Sequence, residues 1–136
     1  MEVQIRDTII TDEYTEMKKT DSFKKIAQEV AKSPSGIVIF TEKKGKVMGV
    51  VTYQEIISSL LGKKEISKLK LKDILKTNIL EVKETDSIEK VIRRIRRRKP
   101  EATVVIDENG KLVGYFSESD LSYAKACQQL IHQILK

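Results

Sequence analysis

The chain repeats itself at an offset of 65 residues. Thr20-Asp21-Ser22 falls on Thr85-Asp86-Ser87, Gly45-Lys46 on Gly110-Lys111, and Gly49 on Gly114, with no gap needed from Thr20 to Ile57. Only seven of these 38 positions are identical, so register carries the match rather than identity. The identities sit mainly at caps and turns, where backbone geometry is most demanding, and the positions between them keep their polarity. A chain of 136 residues suits one domain or two small intertwined halves. The repeat selects two related halves, with boundaries expected at 1–62 and 71–136 and a lysine-rich linker at 63–70.

Each half reads the same way. A short helical or irregular piece opens it, Ile5 to Ile10 and then Leu71 to Leu75, followed by a short extended segment, Tyr14 to Met17 and Ile79 to Val82. A helix comes next. In the second half Ile88, Val91, Ile92 and Ile95 form an i, i+3, i+4, i+7 stripe, and Phe23, Ile26, Ala27 and Val30 repeat it in the first. Asp86 is the expected cap, with Glu89 completing a capping box. Asp21 is its counterpart, where Lys24 removes half of the box. These helices end near Ser33-Pro34 and Lys99-Pro100, because proline disfavours a helical residue before it. Two strands follow each helix, Ile37 to Thr41 with Lys46 to Thr52, and Ala102 to Ile106 with Lys111 to Ser117. Asn109-Gly110 is a strong hairpin signal between the last pair. The runs Ile37-Val38-Ile39-Phe40 and Val104-Val105-Ile106 are apolar almost throughout, as strands covered on both faces are. A closing helix ends each half, Tyr53 to Leu61 and an extended one from Glu118 to about Leu135. The extended helix carries the stripe Leu121, Ala124, Cys127, Leu130, Ile131 and Ile134, which has to bury itself against this chain or another one.

This β-α-β-β-α order, written twice, resembles a tandem CBS-domain pair, or Bateman module. Three features carry the resemblance: the repeated Thr-Asp-Ser helix start, the Gly-Lys hairpin, and the passages Gly49-Val50-Val51-Thr52-Tyr53-Gln54-Glu55 and Gly114-Tyr115-Phe116-Ser117-Glu118-Ser119-Asp120. The resemblance implies an α/β fold of two pseudo-twofold repeats packed as one module. It also implies a regulatory ligand with an adenosine moiety (AMP, ADP, ATP or S-adenosylmethionine) in the interrepeat cleft. In the family the Ser/Thr hydroxyl and the Asp carboxylate hold the ribose hydroxyls, which falls on Ser117 and Asp120. Adenine is held near the starts of two strands, which falls on Asn78, Ile79 and Leu80, and on Pro100, Glu101, Ala102 and Thr103. A helix N-terminus nearby favours the anionic end of such a ligand.

The same two passages also fit a plain capping box, an N-cap hydroxyl with an acid at N3. Thr52 and Glu55 fit capping better, since glutamate is the usual capping-box acid and carries its carboxylate one methylene further out. One site built on Ser117 and Asp120 is therefore expected, with a weaker or empty second site at Thr52 and Glu55. Some relatives place a His-Arg pair before the second strand for phosphate. Here Gly36-Ile37 and Glu101-Ala102 stand in that register, leaving Arg97, Arg98 and Lys99 as candidate phosphate contacts.

Charge is concentrated. Ile88 to Lys99 holds seven basic residues and one acid, an excess as large as the +6 of the whole chain. Five of the six arginines lie between Arg93 and Arg98. A solvated helix end whose cations suit the C-terminal dipole, an anion site for phosphates or an acidic partner, and a nucleic-acid contact all fit. The segment lacks the interleaved aromatics and reading motifs of nucleic-acid binders, which weighs against nucleic acid as a partner; the alternative reading is a ligand-free scaffold or a nucleic-acid-associated adaptor using the Arg93–Arg98 helix.

Other classes find little support. No apolar run approaches the roughly 20 residues of a membrane span, and the N-terminus lacks the basic start and apolar core of a signal peptide. The single cysteine, Cys127, reads as a small apolar helix residue in a reducing cytoplasm. The single histidine, His132, has no ligand set beside it, and there is no P-loop, dinucleotide glycine pattern or nucleophile elbow. No enzyme activity, required cofactor or metal is expected. A homodimer and an effector protein acting in trans are expected partners.

Overall fold

A computed structural model describes residues 4–7 and 14–135. The offset seen in the sequence reappears as two three-stranded sheets with one topology. In the first, β1 (Thr15–Lys18) runs parallel to β2 (Ile37–Thr41), which pairs antiparallel with β3 (Val47–Thr52). In the second, β4 (Ile79–Lys83), β5 (Ala102–Ile106) and β6 (Leu112–Phe116) repeat that order. Even the irregularities coincide: register shifts at Phe40/Thr41 and at Val105/Ile106. The helices are α1 (Phe23–Lys32), α2 (Tyr53–Leu61), α3 (Leu71–Ile74), α4 (Ile88–Arg98) and α5 (Glu118–Ile134).

Alternation along β2 explains the layering. Val38 and Phe40 face outward, into a core with Phe23, Ile26 and Val30 of α1 and Ile56 of α2. Ile37 and Ile39 face inward and meet Ala102 and Val104 of β5, so the two sheets pack face to face. The outer face of the second sheet repeats the arrangement, with Leu80, Val82 and Val105 under Ile88, Val91 and Ile92 of α4 and Ala124 of α5. β2 is buried at every residue because both of its faces are covered, as the unbroken apolar run requires.

The lead-in segments cross over. Ile5, fully buried, lies in the core of the second sheet, with its N–H donating to the Asp86 carbonyl at 3.0 Å. Conversely, Leu71 and Ile74 of α3 fill the core of the first sheet. Each half thus contributes a hydrophobic plug to the other. Residues 8–10, part of the expected opening piece, lie outside the described residues.

The helix caps differ from expectation by one residue. Ser22 and Ser87 are the N-caps, their hydroxyls accepting from Lys25 N (3.3 Å) and Lys90 N (3.2 Å). Both repeats therefore start this helix alike, with lysine at N3 and no box. The aspartates work elsewhere. Asp86 Oδ2 accepts from Lys83 N at 3.0 Å, and Asp21 Oδ1 accepts from Leu71 N at 2.9 Å, fastening α3 to the first half. α5 has 17 residues against nine in α2. Its stripe divides: Ala124 is fully buried, whereas Leu130 and Ile134 are exposed. Cys127 lies on this helix, but its side chain is outside the description. His132 is exposed.

Candidate functional site: an interrepeat cleft at the start of α5

The tight strand-to-helix passage at the end of β6 delivers Ser117 to the N-cap of α5. Its backbone is extended (φ −75°, ψ 170°), and Ser117 Oγ accepts from Asp120 N at 3.1 Å. Asp120 Oδ2 returns the contact, accepting from Ser117 N at 3.0 Å. The carboxylate is folded back beneath the serine, with Asp120 only 5% exposed, and Oδ1 makes no hydrogen bond to a described residue. At the end of β3 Thr52 forms the matching box. Its N–H and its hydroxyl both donate to Glu55 Oε1 at 3.0 Å, and Oγ1 accepts from Gln54 N at 3.3 Å. Both passages are thus complete capping boxes.

Ser117 opens onto a cleft of about 470 Å³, within the range of small-molecule sites. Its walls come from both repeats in pairs related by the 65-residue offset: Ser35 with Pro100, Ile37 with Ala102, and Thr52 with Ser117. The cleft therefore straddles the pseudo-twofold axis. The second repeat adds Ile95, Glu101, Thr103, Tyr115, Phe116 and Leu121. Chemically it offers an apolar and aromatic wall, a row of hydroxyls and a helix N-terminus, which suits a flat heterocycle bearing hydroxyl groups. Among the described residues no group of His, Cys, Asp and Glu is placed to hold a metal ion.

The sequence-derived candidates separate on this geometry. Ser117, Ala102, Thr103, Pro100 and Glu101 line the cleft, and Asp120 sits directly behind Ser117 without lining it. Thr52 lines the same cleft, whereas Glu55 lines a different hollow, with Asp73 and Lys76. Leu80 is fully buried in the second core, under α4, and is not on the cleft wall. Asn78 is exposed; its carbonyl accepts from Glu101 N at 2.8 Å. Ile79 faces a separate cleft along β4, and Arg98 lines that cleft too. Arg97 stands with Lys90, Arg93 and Arg94 on the outer face of α4, and Lys99 caps that helix in a left-handed conformation (φ 47°). None of Arg97, Arg98 and Lys99 lines the Ser117 cleft. Ser35, Ile37, Ile95, Tyr115, Phe116 and Leu121 were not anticipated. The first two would have followed from shifting Pro100 and Ala102 by the repeat offset.

A CBS domain family model matches residues 71–126. Over those residues the second repeat is similar to a CBS domain. The whole chain has the fold of a CBS-domain pair. It superposes on the CBS domain pair of protein MJ0100, solved with 5′-methylthioadenosine and S-adenosyl-L-methionine, with a TM-score of 0.76 and 17% identity, covering 94% of this chain and 99% of that one. A CBS-domain pair from Klebsiella pneumoniae with bound AMP gives 0.72 and 20%, covering 91% and 98%. A sequence relative, an uncharacterized protein of Methanocaldococcus jannaschii, is 30% identical over 77 residues. That match takes in 57% of this chain but only 18% of the relative. Among the described residues no helix of this chain is long and apolar enough to cross a membrane.

Proposed function

We propose that this chain is a CBS-domain pair acting as a cytoplasmic regulatory module that binds an adenosine-containing ligand in the cleft at Ser117. AMP, ADP, ATP and S-adenosylmethionine are the candidates, and the module is not a catalyst. The observation that carries the reading is the meeting of both repeats in one cleft whose helix-start hydroxyls, Ser117 and Thr52, are related by the repeat. Ser117 Oγ takes one ribose hydroxyl, and the Asp120 carboxylate turns out from behind the serine to take the other, while Ala102, Thr103 and Tyr115 border the base. Solved CBS-domain pairs of this fold with AMP, or with S-adenosyl-L-methionine and 5′-methylthioadenosine, support the ligand class.

Because the cleft has walls from both halves, a bound ligand favours one packing of the halves over others. A partner protein reads that shift in population. A second copy of the chain is the expected structural partner, through the exposed apolar faces of α2 and α5. Calorimetry against the four ligands, repeated with Asp120→Asn, tests the site. The amide keeps a capping acceptor but removes the carboxylate. We expect one of the four to bind and the variant to bind it about tenfold more weakly, as loss of a charge-assisted hydrogen bond does. Unchanged affinity in the variant removes Asp120 from the site, and no binding by any of the four overturns the ligand class.

A further inference from the structure

A second cleft, of about 620 Å³, runs along β4 at the edge of its sheet. Alternate residues of that strand, Ile79, Glu81 and Lys83, form one wall. Val47 and Met48 of β3, with Ile106 of β5, add apolar surface, and Lys90, Arg94 and Arg98 of α4 form the opposite side. These three cations stand four residues apart on the helix, about 6 Å of rise per step, in a single row along the cleft. They share none of the lining of the Ser117 cleft.

Three observations separate this row from an ordinary solvated helix face. First, the charges are poorly balanced. Asp86 pairs with Lys90 at 3.7 Å, but none of the five arginines of α4 makes an ion pair or side-chain hydrogen bond with a described residue. Lys90–Arg94, Arg94–Arg98 and Arg93–Arg97 are like-charge pairs at i, i+4, each of which weakens the helix. Second, the dipole accounts for Arg96, Arg97 and Arg98 in the last turn but not for Lys90 and Arg94, which lie nearer the N-terminus. Third, the fold does not need them. In the first repeat the same positions are Lys25, Glu29 and Ser33, Glu29 pairs with Lys32, and the helix packs in the same way.

The geometry points to a binding site for a chain of linked phosphates, free or carried by a nucleotide, between β4 and α4, with Arg94 and Arg98 as its main contacts. Each guanidinium offers a planar fork that matches phosphate oxygens, and the row supplies such forks at successive turns. The apolar wall of Ile79, Val47 and Met48 accommodates the uncharged end of a nucleotide. No aromatic residue lines the cleft, which removes the stacking platform of a single-stranded nucleic-acid groove. The site stands independently of the Ser117 reading.

Titration calorimetry at low salt with inorganic triphosphate, ATP, AMP and a short single-stranded DNA tests it. The proteins are the wild-type chain, an Arg94→Gln/Arg98→Gln double variant and Ser117→Gly. Triphosphate binds the wild type, binds the double variant at least about tenfold more weakly, and binds Ser117→Gly unchanged. In Ser117→Gly, where the other cleft is weakened, equal affinity for triphosphate and ATP assigns the site to the phosphate chain alone, and tighter ATP binding that is lost in the arginine variant assigns it to a nucleotide. The double variant melts no lower than the wild type, because like-charge repulsion is removed, so lost binding is not lost folding. Absence of triphosphate binding, binding indifferent to the arginines, or binding lost in Ser117→Gly overturns the proposal. DNA binding far tighter than triphosphate, falling steeply with salt, overturns it in favour of a nucleic-acid surface.

Discussion

Val50 and Lys76 exchange both of their backbone hydrogen bonds, each at 2.9 Å. This one bridge ties the segment leading into the second repeat onto β3 of the first, and it depends on the residue beside it. A Cβ on Gly49 would collide with the Lys76 carbonyl oxygen and stand 2.9 Å from Leu75 Cγ. The obstacle is backbone rather than a flexible side-chain tip. Gly49→Ala is therefore expected to destabilise the fold by about 1–3 kcal/mol, the usual cost of overpacking. Gly110→Ala is the comparison. Gly110 has φ +81° but open space around it, so only backbone strain of about 1 kcal/mol applies. Denaturant melts that rank the two substitutions the other way would refute this account of the junction.

The Ser117 hydroxyl caps α5 and is proposed to meet the ligand, and one substitution separates the two roles. Glycine is tolerated at an N-cap at a cost of a few tenths of a kcal/mol, against about 1 kcal/mol for alanine. Ser117→Gly should melt close to the wild type yet bind the adenosine ligand about tenfold more weakly, the worth of a lost hydrogen bond to a buried site. Thr52→Gly should weaken binding less, because the Thr52 hydroxyl already donates to Glu55. Since Thr52 and Ser117 line one cleft on the pseudo-axis, the stoichiometry for that ligand should be one per chain. Two equivalent tight sites would contradict it.

Tyr14 borders the apolar layer between the sheets, and its phenol is pushed above the ordinary value of 10.0, first by burial and then by the negative charge of Glu16. A raised folded-state value means that folding favours the neutral phenol. The stability it gives is complete below the unfolded value of about 10 and is lost as pH rises through the folded value. Spectrophotometric titration should show a tyrosine component ionising above the ordinary value, and Tyr14→Phe should remove it. A titration curve that Tyr14→Phe leaves unchanged at its high-pH end would show that Tyr14 is not desolvated.

The repeat made most of the fold legible. Unbroken apolar runs marked β2 and β5 as strands covered on both faces, and Asn109-Gly110 marked the hairpin. The caps were read one residue early because Thr-Asp-Ser offers three capping side chains in a row. Which one takes the extended backbone of an N-cap is settled by where the strand before it ends. The true task of Asp21, accepting from Leu71 N fifty positions on, has no local signature at all. The crossing of Ile5 and α3 into opposite cores was hidden for the same reason: short apolar pieces show that they need burial but not in which half. At the site, the helix-start hydroxyls were readable, but the split of Thr52 from Glu55 was not. A box fixes the two residues relative to each other and says nothing about which hollow each one borders.

The last apolar surface left uncovered argues for a second copy of the chain. Tyr53, Ile57, Leu60 and Leu61 form a stripe on α2, and Tyr123, Leu130 and Ile134 form one on α5; all are exposed, Leu61 by 83%. α2 and α5 occupy matching places in the two repeats, but Ile57, Leu60 and Leu61 fall on Ser122, Lys125 and Ala126 at the repeat offset, so the two stripes are separate apolar faces. In a closed two-fold dimer each stripe can meet the same patch on the second copy. Apolar stripes of this length on helices are rarely left to water. Light scattering should therefore report a dimer, and Ile57→Glu with Leu130→Glu should shift it to monomer while circular dichroism stays unchanged, because both side chains already face solvent within one chain. A wild-type chain that remains strictly monomeric at high concentration would sink the idea, and would leave both stripes as a docking face for a different protein.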